Sequence, residues 1–198
     1  MENYDAVEFW NQVEKPIPNR ELTNYEIEYN IKFIKDNIKD CEKILDFGPG
    51  KGRLFKAYKN KYLEAYDISS AFKNDVLLEA SKLPLKGEFK FTIEKEIKEL
   101  PYEDKSFDSV VAMLVLLHQK PKDIIFIMSE LLRVGKKVII STYWDPNKNY
   151  LEPNQEYISL ARKHNYNYEQ ICKDNGWKFK FINHRPDFHN HLYFIMEN

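Results

Sequence analysis

Residues 44–55 read ILDFGPGKGRLF, with Gly48, Gly50 and Gly52 at alternate positions. The whole chain has only six glycines, so half of them sit in this loop. Glycine lets a chain turn sharply and lets a ligand approach its backbone. At the junction of an apolar strand and a following helix, backbone N–H groups face outward. One glycine suffices for a tight turn. Three, together with Pro49, point to a cradle for a nucleoside-type ligand. Neither common phosphate loop fits the spacing. A G-x-G-x-x-G fingerprint would place its third glycine at Arg53, and a P-loop would end in G-K-[ST] where this chain has GKGR. A carboxylate follows at the right distance. Asp67 closes the run YLEAYD, 17 residues past Gly50. There it can accept both hydroxyls of a ribose. The plainer alternative is a charge at a helix start or a solvated turn.

These residues need strands to carry them. KILDF (43–47), YLEAYD (62–67), EFKFTIE (88–94), FDSVVAMLVLL (107–117), KKVIIST (136–142), WKFKFIN (177–183) and HLYFIME (191–197) read as strands. Between them, GRLFKAYKN (52–60), SSAFKNDVLLEAS (69–81), PKDIIFIMSELLRV (121–134) and NYEQICKDNG (167–176) read as helices. Serine is a plausible N-cap for the second of these, and Pro121 suits the first turn of the third. A further helix, ELTNYEIEYNIKFIKDNI, precedes the first strand. The alternation predicts an α/β fold: a doubly wound, mostly parallel seven-stranded sheet with helices on both faces. Its C-terminal hairpin strand is expected to be antiparallel. In such sheets ligands lie beyond the carboxyl ends of the strands. That places the glycine loop, Asp67, the stretch after Leu114 and residues 141–145 at one end.

Composition narrows the setting. At 198 residues and 43% hydrophobic, the chain suits one folded domain. We read 1–40 as an N-terminal helical lid, 43–142 as the ligand-binding core and 143–198 as an acceptor-side segment with the terminal hairpin. No run reaches the roughly 20 apolar residues of a membrane span. The acidic, aromatic N-terminus lacks the pattern of a signal peptide. Cys41 and Cys172 form neither a disulfide framework nor a metal-ligand spacing, which fits a reducing, cytoplasmic setting. A net charge of -1 argues against a nucleic-acid partner.

ILDFGPGKG followed by AYDIS resembles the first two signatures of class I S-adenosylmethionine-dependent methyltransferases. LPYEDKSFDSVVAMLVLLH and SELLRVGKKVIIST are similar to that family's fourth strand, following helix and fifth strand. The resemblance implies S-adenosylmethionine as cofactor. It implies that Asp46 and the loop Gly48, Pro49, Gly50 and Gly52 hold the methionine part. Asp67 would bind the ribose, with Ile68 against the adenine. Glu96, four positions before Leu100-Pro101, would contact the adenine amino group with Ile97 beside it; a solvated charge run is the alternative. Leu114 would line the pocket near the sulfonium. The turn RVGKK lacks the family's usual Lys-Pro-Gly-Gly.

Methyl transfer from a sulfonium asks the protein mainly to align donor and acceptor and to exclude water. An oxygen acceptor can also require a general base. The Asn/Asp-Pro-Pro-aromatic tetrapeptide of base amino-methylation is absent, and neither cysteine follows a proline as cytosine C5 chemistry would need. A small-molecule acceptor is therefore expected, with RNA or protein methylation, or a catalytically silent cofactor-binding module, as alternatives. Tyr4, Phe9 and Trp10 could close over the cofactor or staple the N-terminus to the sheet. Tyr143, Trp144 and Asp145 follow the fifth strand. His118 could serve as a base or as a helix-capping histidine. HRPDFHNH (184–191) gathers three histidines and Asp187. It reads as a hairpin tip, with a metal site as the alternative. If strand 177–183 runs parallel to its neighbours, that tip brings His184, Asp187 and His189 to the ligand end.

Overall fold

A computed structural model describes Trp10 and residues 23–143, 166–185 and 191–197. The first described helix, α1 (Asn24–Asn37), starts at Thr23 in a reciprocal capping box: the Thr23 hydroxyl accepts from the Glu26 N–H, and the Glu26 carboxylate accepts from the Thr23 N–H. Strands β1 (Lys43–Phe47), β2 (Tyr62–Asp67), β3 (Lys90–Ile93), β4 (Ser109–Met113), β5 (Lys137–Tyr143), β6 (Lys178–Arg185) and β7 (His191–Glu197) form one seven-stranded sheet. Its order is β3-β2-β1-β4-β5-β7-β6. The first five strands are mutually parallel, and β7 is antiparallel to both β5 and β6. The strand order reverses between β1 and β4, so the glycine loop leaves the sheet at its switch point.

Two apolar layers cover the two faces. One buries Leu45, Val110, Ile140 and Phe194 against α3 (Ile124–Val134) and α4 (Tyr168–Asp174). The other buries Ile44, Val111, Ile139 and Ile195 against α1, α2 (Lys73–Ser81) and a short 3-10 helix, Phe55–Tyr58. Alternate residues of each strand feed opposite layers, as a two-sided sheet requires. The doubly wound expectation therefore holds.

Several elements are shorter than the sequence pattern predicts. The helix expected over 52–60 is only the four-residue 3-10 helix. Successive turns, Gly52 N–H to Pro49 C=O and Phe55 N–H to Gly52 C=O, consume the residues that would have begun it. Helix α2 starts at Lys73 without a side-chain cap. Ser69 is committed one turn earlier: its N–H donates to the Asp67 carboxylate at 3.0 Å and its hydroxyl accepts from Ala71 N–H. Pro121 lies in a turn ahead of α3, not in its first helical turn. The apolar run 107–117 is strand only to Met113, because Leu114 adopts φ 59° and turns the chain into a second 3-10 helix, Leu116–His118.

Candidate active site

The glycine loop follows β1 at its carboxyl end. Gly48 extends the pairing by donating its N–H to Tyr66 C=O at 2.8 Å. Gly48, Gly50 and Gly52 all have positive φ, 72°, 55° and 74°. Two of them answer different needs. A Cβ on Gly48 would stand 2.5 Å from Val115 Cγ2, so glycine lets the turn after β4 close onto the loop. A Cβ on Gly50 would meet no described atom within 4 Å. That position is open, as a ligand-facing backbone must be. Lys51 lies over the Phe72 ring at 5.4 Å and ties the loop to the segment after β2.

Two carboxyls flank the loop. Asp46 is buried in β1 beside the Tyr58 hydroxyl. Burial pushes it up to about 7, the Tyr58 hydroxyl opposes that rise, and the Asp67 charge adds to it. Asp67, on the adjacent strand, accepts from the Ser69 N–H and is pushed up to about 6, again by burial against opposing backbone N–H groups. Both are ready to be stabilised as anions by a cationic or hydroxyl-bearing ligand.

The remaining cofactor positions divide. Ile68, Ile97 and Val115 are half-buried and pack against one apolar cluster, which brings the segments after β2, β3 and β4 together. Leu114 holds its left-handed conformation because its N–H donates to Ser141 C=O at 2.7 Å. A leucine in that region is strained, and such strain concentrates at functional turns. Glu96 is exposed in an irregular bend, not a helix, with Lys98 at 3.1 Å.

His118 ends the 3-10 helix after β4 and meets the Trp10 ring edge-on at 5.0 Å. Arg185 and Tyr143 both pair with His191, so the β6–β7 connection lies at the carboxyl end of β5, as the parallel course of β6 requires. The His184 backbone belongs to β6. Asp187 and His189 lie outside the described residues, as do Tyr4, Phe9, Trp144 and Asp145. Among the described residues no group of His, Cys, Asp and Glu is placed to hold a metal.

One polar group escaped the sequence reading. Tyr58 reads as one more apolar member of the helix expected over 52–60, and only its burial beside Asp46 sets it apart. Ser141, in the segment expected at the ligand end, and His191, in the histidine-rich stretch, are both buried, at the carboxyl end of β5 and the start of β7.

Residues 45–139 match the family model of the methyltransferase domain. No curated protein matches the sequence. Among solved structures, magnesium protoporphyrin IX methyltransferase from Synechocystis PCC 6803, with bound SAH, superposes with TM-score 0.62 at 15% identity, covering 96% of this chain and 94% of that one. The PH0226 protein from Pyrococcus horikoshii OT3 gives 0.67 at 19% identity, covering 93% and 94%. An O-methyltransferase family protein from Burkholderia thailandensis gives 0.64 at 10% identity, covering 86% of this chain and 55% of that one. These likenesses establish the fold. The matched segment, which carries the cradle, is that of a methyltransferase domain. The chain is an S-adenosylmethionine-dependent methyltransferase, with S-adenosylmethionine as its cofactor.

Proposed function

We propose that this enzyme methylates an oxygen or nitrogen of a small molecule, a metabolite, sugar or aromatic ring. The observation that carries the cofactor half is the conjunction at the switch point: an open, positive-φ Gly50 in the loop that follows the buried Asp46, with the half-buried Asp67 at the carboxyl end of the adjacent strand. The bound cofactor supplies an electrophilic methyl group on a sulfonium. Asp46 and the backbone of Gly48, Pro49, Gly50 and Gly52 hold its amino-acid end. Asp67 accepts from the ribose hydroxyls. Ile68 and Ile97 flank the base, Glu96 reaches its amino group, and Leu114 fixes the wall beside the sulfonium. In-line transfer then depends on alignment and on exclusion of water.

The small-molecule half is supported by the net charge of -1, which provides no general attraction for a polyanion. Two structural neighbours are themselves named for porphyrin and O-methyl transfer. His118, with Trp10 against it, is suited to take the proton of an oxygen acceptor. His184, Asp187 and His189 belong to a hairpin whose connection is at the same end of the sheet. They are assigned to acceptor contact.

The test is calorimetry followed by turnover. S-adenosylhomocysteine is expected to bind the parent protein and to lose at least ~10-fold in affinity in Asp67→Ala, the scale of a lost charge-assisted hydrogen bond. Preference for NAD would overturn the cofactor assignment. Labelled methyl groups appearing in RNA or protein, and in no small molecule of a metabolite panel, would overturn the acceptor assignment.

A further inference from the structure

Asp46 and Tyr58 form a polar pair beneath the glycine loop, inside an otherwise apolar layer. Asp46 is 4% exposed and Tyr58 is 0% exposed. The register neighbours of Asp46, Ala65 on β2 and Val111 on β4, belong to the same buried cluster as Tyr58. The carboxyl therefore points to the sheet face on which Tyr58 is packed. The hydroxyl lies near enough to draw the Asp46 acidity downward, yet it completes no hydrogen bond among the described residues. Phenylalanine would fill that volume without burying an orphaned hydroxyl. The tyrosine oxygen is thus matched to a stronger acceptor than a protonated carboxyl, namely an ionised one.

Resting on the cofactor site described above, we propose that Tyr58 is a positioning residue for the cofactor's amino-acid end. Its hydroxyl donates to Asp46 as a carboxylate when the cofactor's α-ammonium lies against that carboxylate, and binding releases the Asp46 proton to solvent. The charges balance: a neutral carboxyl and a cationic ammonium become an ion pair plus one proton in water. Among the described residues, the groups acting on Asp46 are the Tyr58 hydroxyl from the 3-10 helix and the Asp67 carboxyl from β2. With burial pushing Asp46 up to about 7, a substantial fraction still holds its proton near neutrality, so the release is measurable.

Titration of S-adenosylhomocysteine in two buffers of different ionisation enthalpy counts the protons released. For the parent protein, most of one proton is expected from Asp46 at about pH 6.5 and little at about pH 8. Asp46→Asn should remove that share. Tyr58→Phe should bind S-adenosylhomocysteine ~10-fold more weakly at about pH 8, with the release profile moved to higher pH, while the melting temperature without ligand is unchanged or raised. A Tyr58→Phe protein that binds as the parent does, with the parent's proton profile, overturns the proposal. So does one that melts earlier but keeps that profile, because the hydroxyl would then serve packing alone. Failure of the parent itself to bind would remove the cofactor reading and this proposal with it. Parent binding with an indifferent variant removes only this proposal.

Discussion

Burial raises the Asp46 and Asp67 carboxyls to about 7 and about 6, both above the ordinary aspartate value. The folded chain then keeps protons that an unfolded chain has lost above about pH 4. Stability contributed by these two groups is full below that value and falls as pH rises through 6 and 7. Asp108 acts in the opposite sense. Burial raises it, but Lys136 Nζ at 2.7 Å and the N–H groups of Lys43 and Glu42 prevail and hold it at about 2. Its contribution is present above about pH 4 and is lost on acidification toward 2. Without ligand, the melting temperature should therefore peak in mildly acid solution and decline toward pH 8, and Asp46→Asn should flatten the alkaline limb. A scan of melting temperature against pH checks this; an unaltered limb in the variant would contradict it. Asp67 drew attention in the sequence because it closes an apolar strand 17 residues past Gly50, and Asp46 because ILDFGPGKG resembles a known signature. Tyr58 did not, since its ring fits an apolar pattern and only the structure shows where its oxygen lies.

Among the elements, the loop and the turn after β4 are fitted to each other. Gly48→Ala would set a Cβ 2.5 Å from Val115 Cγ2 at a φ of 72°. Overpacking and left-handed strain together should cost about 2–4 kcal/mol. Adding Val115→Ala should recover part of the loss by removing the Cγ2 contact, while the Val115 Cβ at 2.9 Å and the left-handed strain remain, and a double-mutant cycle in urea reads that coupling. At the other end of the fold, Thr23→Ala should cost about 1 kcal/mol through loss of the capping box of α1, read as a lower denaturation midpoint. Periodicity located nearly every element but overran their ends. Apolar spacing in 52–60 and 107–117 continues past the point where Gly52 and Leu114 turn the backbone to positive φ. Side-chain pattern carries no record of that turn, which tertiary contacts impose.

Across the whole molecule, a buried bond from the Tyr193 hydroxyl to Asn30 Oδ1 at 2.8 Å helps fasten the sheet to α1, with Phe33 edge-on to the same ring at 4.8 Å. Tyr193→Phe keeps the ring and strands the Asn30 acceptor, so a loss of about 1–3 kcal/mol is expected with an unchanged denaturant slope. A changed slope would mean that the native or denatured state had been reshaped instead. The alternation of strands and helices made the doubly wound sheet readable from sequence, and the glycine spacing pointed to the loop at its switch point. Which groups would meet an acceptor was less legible, because the segments after β4 and β5 and the β6–β7 connection lie far apart in the chain and are gathered at one end by the strand order.

That strand order also dictates when the molecule can be finished. Strand β7 is wedged between β5 and β6, although it follows both in the chain. During synthesis β5 is complete some 50 residues before its partner emerges, and until then its outer row of amides and carbonyls lies bare. Such an edge invites pairing with a neighbouring nascent chain. The ribosome-bound protein therefore passes through a window in which its parallel half is formed but its last interior seam is open, and shielding that seam becomes a demand on the cell and not on the fold.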